Sequence, residues 1–113
     1  MTSKFRLVFY APLSAVASCK IAVFTTGAGR YPEPGKYSEC CWTVVGTGQF
    51  RPEDSAKPNI GDVGQLTEVE EARVEVACFS EDVARKAEEA LKRYAILALN
   101  YELQSFSPCL GRR

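Results

Sequence analysis

The sequence predicts an α+β fold, an antiparallel sheet with two helices on one face, and three observations carry that expectation. Segments rich in aromatic and branched residues repeat with period two. Two other segments repeat their apolar residues every three to four positions, as helices do. The order of these segments is strand, helix, strand, strand, helix, with room for a last strand, which is the order of a split βαβ or ferredoxin-like sandwich. The 113 residues suit one domain, 1–113, with a single core.

Lys4 to Tyr10 (KFRLVFY) reads as the first strand, closed by Pro12. Beyond it Leu13, Val16, Cys19, Ile21, Val23 and Phe24 follow helical spacing, with Pro12 suited to the first turn and Gly27 to the stop. Arg30 to Lys36 holds two prolines and a glycine and reads as a surface loop. Tyr37 to Val45 (YSECCWTVV) returns to strand composition, with Cys40, Trp42 and Val44 on one face and Cys41, Thr43 and Val45 on the other. Gly46 to Gly64 contains too many glycines and prolines for one regular element. Its Gly46 to Pro52 section suits a short extended stretch, and Glu53 to Ile60 a loop.

Gln65 to Cys78 gives the clearest strand, with Ala72, Val74, Val76 and Cys78 on one face and Glu71, Arg73 and Glu75 on the other. Ser80 then offers an N-cap. Glu81 and Asp82 suit the first turn of a helix whose apolar stripe is Val83, Ala84, Ala87, Leu91 and Tyr94. No breaker separates this helix from Ala95 to Leu99. The tail, 93–113, therefore admits two structures: over 94–106 it either extends the helix or starts a final strand running to Leu103 or Phe106. In either case the sheet face away from the helices needs cover, and burial between subunits supplies it.

Composition narrows function more by exclusion than by indication. Lys+Arg and Asp+Glu both number 14, so no general positive charge is available for a nucleic-acid backbone or an anionic membrane. Histidine is absent, which removes Ser-His-Asp and Cys-His catalysis, His-ligated zinc and a histidine pH switch. The opening residues resemble no signal peptide and the longest apolar run, Tyr94 to Leu99, is too short to span a bilayer, so the expected location is cytoplasmic, with the nucleus left open. The 5 cysteines, odd in number and without Cys-x-x-Cys spacing, read as reduced thiols that fill the core.

Three glycine patterns invite a nucleotide assignment and fail it. Gly29 to Tyr37 has one residue too many for a Walker A loop and ends in Tyr. Gly27-x-Gly29 follows a helix and Gly46-x-Gly48 opens none, so turn chemistry explains both. Trp42, Gln49 and Arg51 form a candidate recognition set, an aromatic beside an amide and a guanidinium fork able to hold a planar or anionic ligand. Arg73 and Glu75 join it as a charged pair on one strand face. No catalytic residue, metal site or cofactor is assigned.

Gly27-Ala-Gly29, Tyr37-x-x-Cys40-x-Trp42, Gly46 to Pro52 (GTGQFRP), Pro58-x-Ile60-Gly61 and Val69 to Glu75 (VEEARVE) together resemble the small PII-like or CutA-like domain of the Nif-three-like family, over roughly Lys4 to Arg93. Larger bacterial members carry this domain inserted in a metal-binding domain, and this chain looks like the stand-alone, fungal type. The resemblance implies a ferredoxin-like sandwich assembled as a homotrimer by sheet-to-sheet contact. The family's metal ligands lie in the larger domain and do not transfer. Its His-Pro-Tyr-Glu-Glu-Pro stretch falls at Tyr94 to Leu99, with the strand after it at Asn100 to Leu103, and none of its His, Pro or Glu residues is kept; without the prolines the helix stop is lost.

The leading functional expectation is a non-catalytic trimeric PII-like module that binds a small-molecule or protein partner at clefts between subunits. The alternative is a metal-dependent hydrolase-like enzyme centred on Glu71, Glu75 and Cys40. A third is a scaffold that meets a larger partner.

Overall fold

A computed structural model describes residues 5–33, 35–54, 61–98 and 109–112. The elements are β1 (Phe5–Pro12), a single 3-10 turn (Leu13–Ala15), α1 (Val16–Phe24), β2 (Trp42–Phe50), β3 (Thr67–Cys78), α2 (Glu81–Ala98) and β4 (Cys109–Arg112). They form one four-stranded sheet in the order β2-β3-β1-β4, and every neighbouring pair is antiparallel. The chain thus makes two crossovers, β1 to β2 through α1 and β3 to β4 through α2. This is the predicted α+β, ferredoxin-like architecture.

The core follows from alternation along the two central strands. Leu7, Phe9 and Ala11 of β1 lie opposite Val76, Val74 and Ala72 of β3, and all six are buried. Cys19 and Val23 of α1 and Ala84, Ala87, Leu91 and Ala95 of α2 close over them, which places both helices on this one face. Three alanines in the α2 stripe let its backbone approach the sheet closely, while Leu91 fills the space they leave. Ser80 caps α2 as expected, its Oγ accepting the Val83 N–H at 3.1 Å. Among the described residues no helix is long and apolar enough to cross a membrane.

Several boundaries differ from the sequence reading. β1 runs on to Pro12, so helical structure begins only at Leu13. The strand expected over Tyr37 to Val45 begins at Trp42 and runs through Gly46 and Gly48 to Phe50. The reason is tertiary. The loop after α1 is tied down by Tyr31 N–H to Tyr37 O at 3.2 Å and Cys40 N–H to Gly29 O at 2.9 Å, and Glu39 adopts a positive φ of 55°. Residues 37–41 therefore belong to the loop, whereas Thr67 to Glu75 of β3 offers a continuous ladder that holds the glycine-rich stretch extended. Cys40 is half-buried and Cys41 exposed, so only Cys19 and Cys78 of the described thiols are core residues.

The tail also resolves one alternative. α2 continues through Tyr94 to Ala98, so a strand does not start at Ala95. With no proline in Tyr94 to Ala98, nothing interrupts the helical hydrogen bonds there. The last strand is Cys109–Arg112, paired with Phe5 to Val8. The alternative strand positions at Asn100 to Leu103 and up to Phe106, and most of the Glu53 to Ile60 loop, lie outside the described residues.

Candidate functional site

The face of the sheet away from the helices carries the polar chemistry. Alternation that sends Ala72, Val74 and Val76 into the core sends Glu71, Arg73 and Glu75 to the opposite side, and β1 adds Arg6, Val8 and Tyr10 there. Arg6 pairs with Ala77 in the ladder, one diagonal step from Glu75. Arg6 Nη1 donates to Glu75 Oε1 at 3.1 Å and Arg73 Nη1 donates to Glu75 Oε2 at 2.6 Å. Each guanidinium thus occupies one carboxylate oxygen.

The network shifts its own titration. The hydrogen bond from Arg73 holds the Glu75 carboxyl below the usual carboxylate range, against a partial loss of hydration, and the charges of Arg73 and Arg6 act in the same direction. Arg73 is held protonated still more firmly, first by its bond to Glu75 and then by the Tyr10 hydroxyl. Glu75 is therefore an acceptor locked in its ionised form, the opposite of what a general acid needs.

Around this network the face is apolar and open. Trp42 lies opposite Glu75 and Val44 opposite Arg73, and they are 59% and 42% exposed, with Tyr10 at 45%. No described element covers them. The structure therefore brings Trp42, Arg73 and Glu75 together, as the sequence pattern suggested for the last two. Arg6 completes the group. Its only signal in the sequence is a charge in the middle of an apolar strand, and its partner across the ladder is set by register, which the sequence does not state.

Gln49 and Arg51 sit elsewhere. Gln49 pairs with Glu68, is exposed, and by alternation points to the helix side of the sheet; seven residues separate it from Trp42, about 23 Å along the strand. Arg51 lies just beyond β2, where its Nη1 donates to the Gly64 carbonyl at 2.9 Å. Gly64 N–H in turn donates to Pro52 O at 2.7 Å, so Arg51 helps close the neck of the loop between β2 and β3. Glu71 folds over Gly48, where a side chain would collide with its carboxylate, and it makes no ion pair among the described residues.

The donor set of the alternative reading does not assemble. Cys40 is held in the loop, its Sγ 3.6 Å from Ser38 O, while Glu75 is taken by two arginines. Among the described residues no three His, Cys, Asp or Glu side chains converge as a metal site would require.

The strand order, the antiparallel pairing and the two helices on one face define a PII-like domain. At the level of fold it is similar to GlnK of Bacillus subtilis, with a TM-score of 0.56 at 12% identity over 98% of this chain and 85% of that one. It is closer to a Bacillus cereus protein related to NIF3, with a TM-score of 0.75 at 26% identity, over 99% of this chain but only 26% of that one. In sequence it is 51% identical over 69 residues to the GTP cyclohydrolase 1 type 2 homolog of Mycobacterium leprae, covering 61% of this chain and 17% of that protein. The homolog from Listeria monocytogenes is 30% identical over 113 residues, covering 95% of this chain and 30% of that protein. These likenesses support a Nif3-like protein. The chain spans less than a third of the length of these curated relatives. No protein-family model matches the sequence.

Proposed function

We propose that the chain is a non-catalytic, PII-like binding module that works as a homotrimer and takes a small-molecule or protein partner at the clefts between subunits. The observation that carries this reading is the uncovered sheet face, where exposed Trp42, Val44 and Tyr10 flank the Arg6–Glu75–Arg73 network. Large apolar side chains exposed on both flanks of a charged strand mark an interface. Trp42, Arg73 and Glu75 lie at one end of the sheet and Gln49 and Arg51 at the other end of β2. Within one chain these two groups cannot share a ligand. A ring of subunits that sets one end of a chain against the other end of its neighbour unites them in a cleft, the aromatic and amide holding a planar group and the arginines an anionic one.

A cytoplasmic location and the fungal type are parts of the same proposal, the first supported by the lack of any apolar run long enough to span a bilayer and the second by the sequence resemblance. The activity named for the longer relatives is not part of it, because most of their length has no counterpart here.

Two measurements test the proposal. Light scattering coupled to size exclusion is expected to return three times 12.4 kDa. A monomer at micromolar concentration defeats the trimer. A thermal-shift screen over nucleotides, organic acids and metabolites is expected to raise the melting temperature with at least one class, because a ligand of the folded state stabilises it by mass action. Silence across the screen removes the small-molecule form and leaves a protein partner to be sought by co-purification.

A further inference from the structure

The loop between α1 and β2 presents two tyrosines that the site described above does not use. Cys40 N–H donates to Gly29 O at 2.9 Å and Tyr31 N–H to Tyr37 O at 3.2 Å, so the two limbs of the loop are tied together twice. Lys36 N–H donates to Glu33 O at 3.3 Å across the tip, where Gly35 takes a φ of +81°. The base is fastened to the sheet, Gly29 N–H donating to Ala77 O at 2.9 Å. Backbone held in this way aims its side chains in fixed directions. The Tyr31 ring lies against Phe79, at the junction of β3 and α2, with centroids 5.3 Å apart and planes at 48°. Tyr37 stands nearly upright to Tyr31, at 6.0 Å and 80°. Tyr31 is nevertheless 45% exposed and Tyr37 66%. A tyrosine that served only to pack the loop would bury its ring, and Tyr37 leaves most of its surface in water.

We infer that this aromatic corner docks a proline-rich segment of a partner protein in the polyproline II conformation. Two rings near a right angle give apolar walls on two sides of a pyrrolidine ring, and tyrosine hydroxyls donate to backbone carbonyls, which in polyproline II have no partner within their own segment. Tyrosine suits the task because it offers a large, stiff contact surface at low entropic cost. Charge decides between this occupant and the others that exposed rings attract. The loop carries Arg30 and Lys36 against Glu33 and Glu39, so it has no net charge. Beyond Phe79, Glu81 and Asp82 are already paired with Arg85 and Lys86. A quaternary ammonium would gain from a surplus of negative charge around the rings, and a single nucleic-acid strand needs a positive groove along its backbone. Neither surplus is present. An uncharged segment, already stiff before it binds, loses the least on docking there.

The test is fluorescence anisotropy of a labelled oligoproline peptide titrated with the whole chain, with a glycine-serine peptide of the same length as control. Saturable binding of the oligoproline alone is expected. Y37A is expected to weaken it about ten-fold or more, and Y37F, which keeps the ring and loses the hydroxyl, to weaken it less. Tyr37 is chosen because Tyr31 also packs on Phe79, and circular dichroism checks the fold of each variant. A second measurement needs no variant: on adding oligoproline to the wild-type chain, the ring resonances of Tyr31 and Tyr37 are expected to shift. Absent or unsaturable binding, equal binding of the control peptide, binding indifferent to Y37A, or shifts confined to other residues each overturn the proposal. If tetramethylammonium saturates the corner and oligoproline does not, the occupant is a cation and the proposal falls. None of these readouts depends on the oligomeric state, so a failure here leaves the trimeric module standing and the reverse also holds.

Discussion

Replacing Gly29 by alanine separates two costs that a glycine can hide. Gly29 has φ of +77°, and its N–H donates to Ala77 O at 2.9 Å while its own carbonyl accepts the Cys40 N–H at 2.9 Å. A β-carbon there would stand 2.8 Å from Cys40 O and 2.8 Å from the Phe24 ring. The left-handed backbone costs an L-residue about 1–2 kcal/mol, and forcing a methyl into a packed site adds about 1–3 kcal/mol. The expected loss is therefore about 2–5 kcal/mol. Gly27 is the internal control, because its φ is +96° but nothing lies within 4 Å of its missing β-carbon. Gly27→Ala should cost only the conformational part, about 1–2 kcal/mol. Urea unfolding at one fixed protein concentration measures both, with the shift in midpoint read at unchanged slope. If the two variants lose the same stability, Gly29 is not a packing junction, and the explanation for the late start of β2 fails with it.

Four further outcomes follow from the same structure. Leu91→Ala removes the largest fully buried side chain of α2 among the described residues and should destabilise by about 2–5 kcal/mol in thermal or denaturant unfolding; a loss under about 1 kcal/mol would mean that the helix does not pack as described. Ser80→Ala deletes the cap on Val83 N–H and should cost about 1 kcal/mol, with Ser80→Asp close to neutral. Glu75 has a folded pKa below its unfolded value, so its contribution is present above the ordinary carboxylate range and is lost as pH falls through the lower, folded value; E75Q should flatten the acid limb of the stability profile, and an unchanged limb would refute the coupling. Burial pushes the Cys19 and Cys78 thiols up to about 11, so with a thiol reagent near neutral pH Cys41 should react promptly while these two stay silent until the chain unfolds.

Much of the fold was legible in local pattern. The run from Ala72 to Cys78 declares both faces of β3, because strand side chains alternate whatever surrounds them. Ser80 and the stripe ending at Leu91 declare α2 for the equivalent reason in a helix. The pattern failed where two local preferences competed. Cys40 and Cys41 suit a strand by composition, yet a hydrogen bond to Gly29 holds Cys40 in the loop. Gly46 and Gly48 suit a turn as readily as the short extended stretch expected of Gly46 to Pro52, and pairing with Glu71 and Val69 selects the extended form. In both cases a distant segment decided between local preferences.

The candidate site divides along the same line. That Arg73 and Glu75 share a face follows from alternation within one strand, and that histidine chemistry is absent follows from composition. That Arg6 completes the network, that Trp42 stands beside Glu75, and that Gln49 and Arg51 lie far from both are consequences of register between strands. Local pattern encodes which way a side chain points from its own strand. Which side chains meet depends on how strands slide past one another, and that offset is settled only when the two helices bury one face and leave the other open.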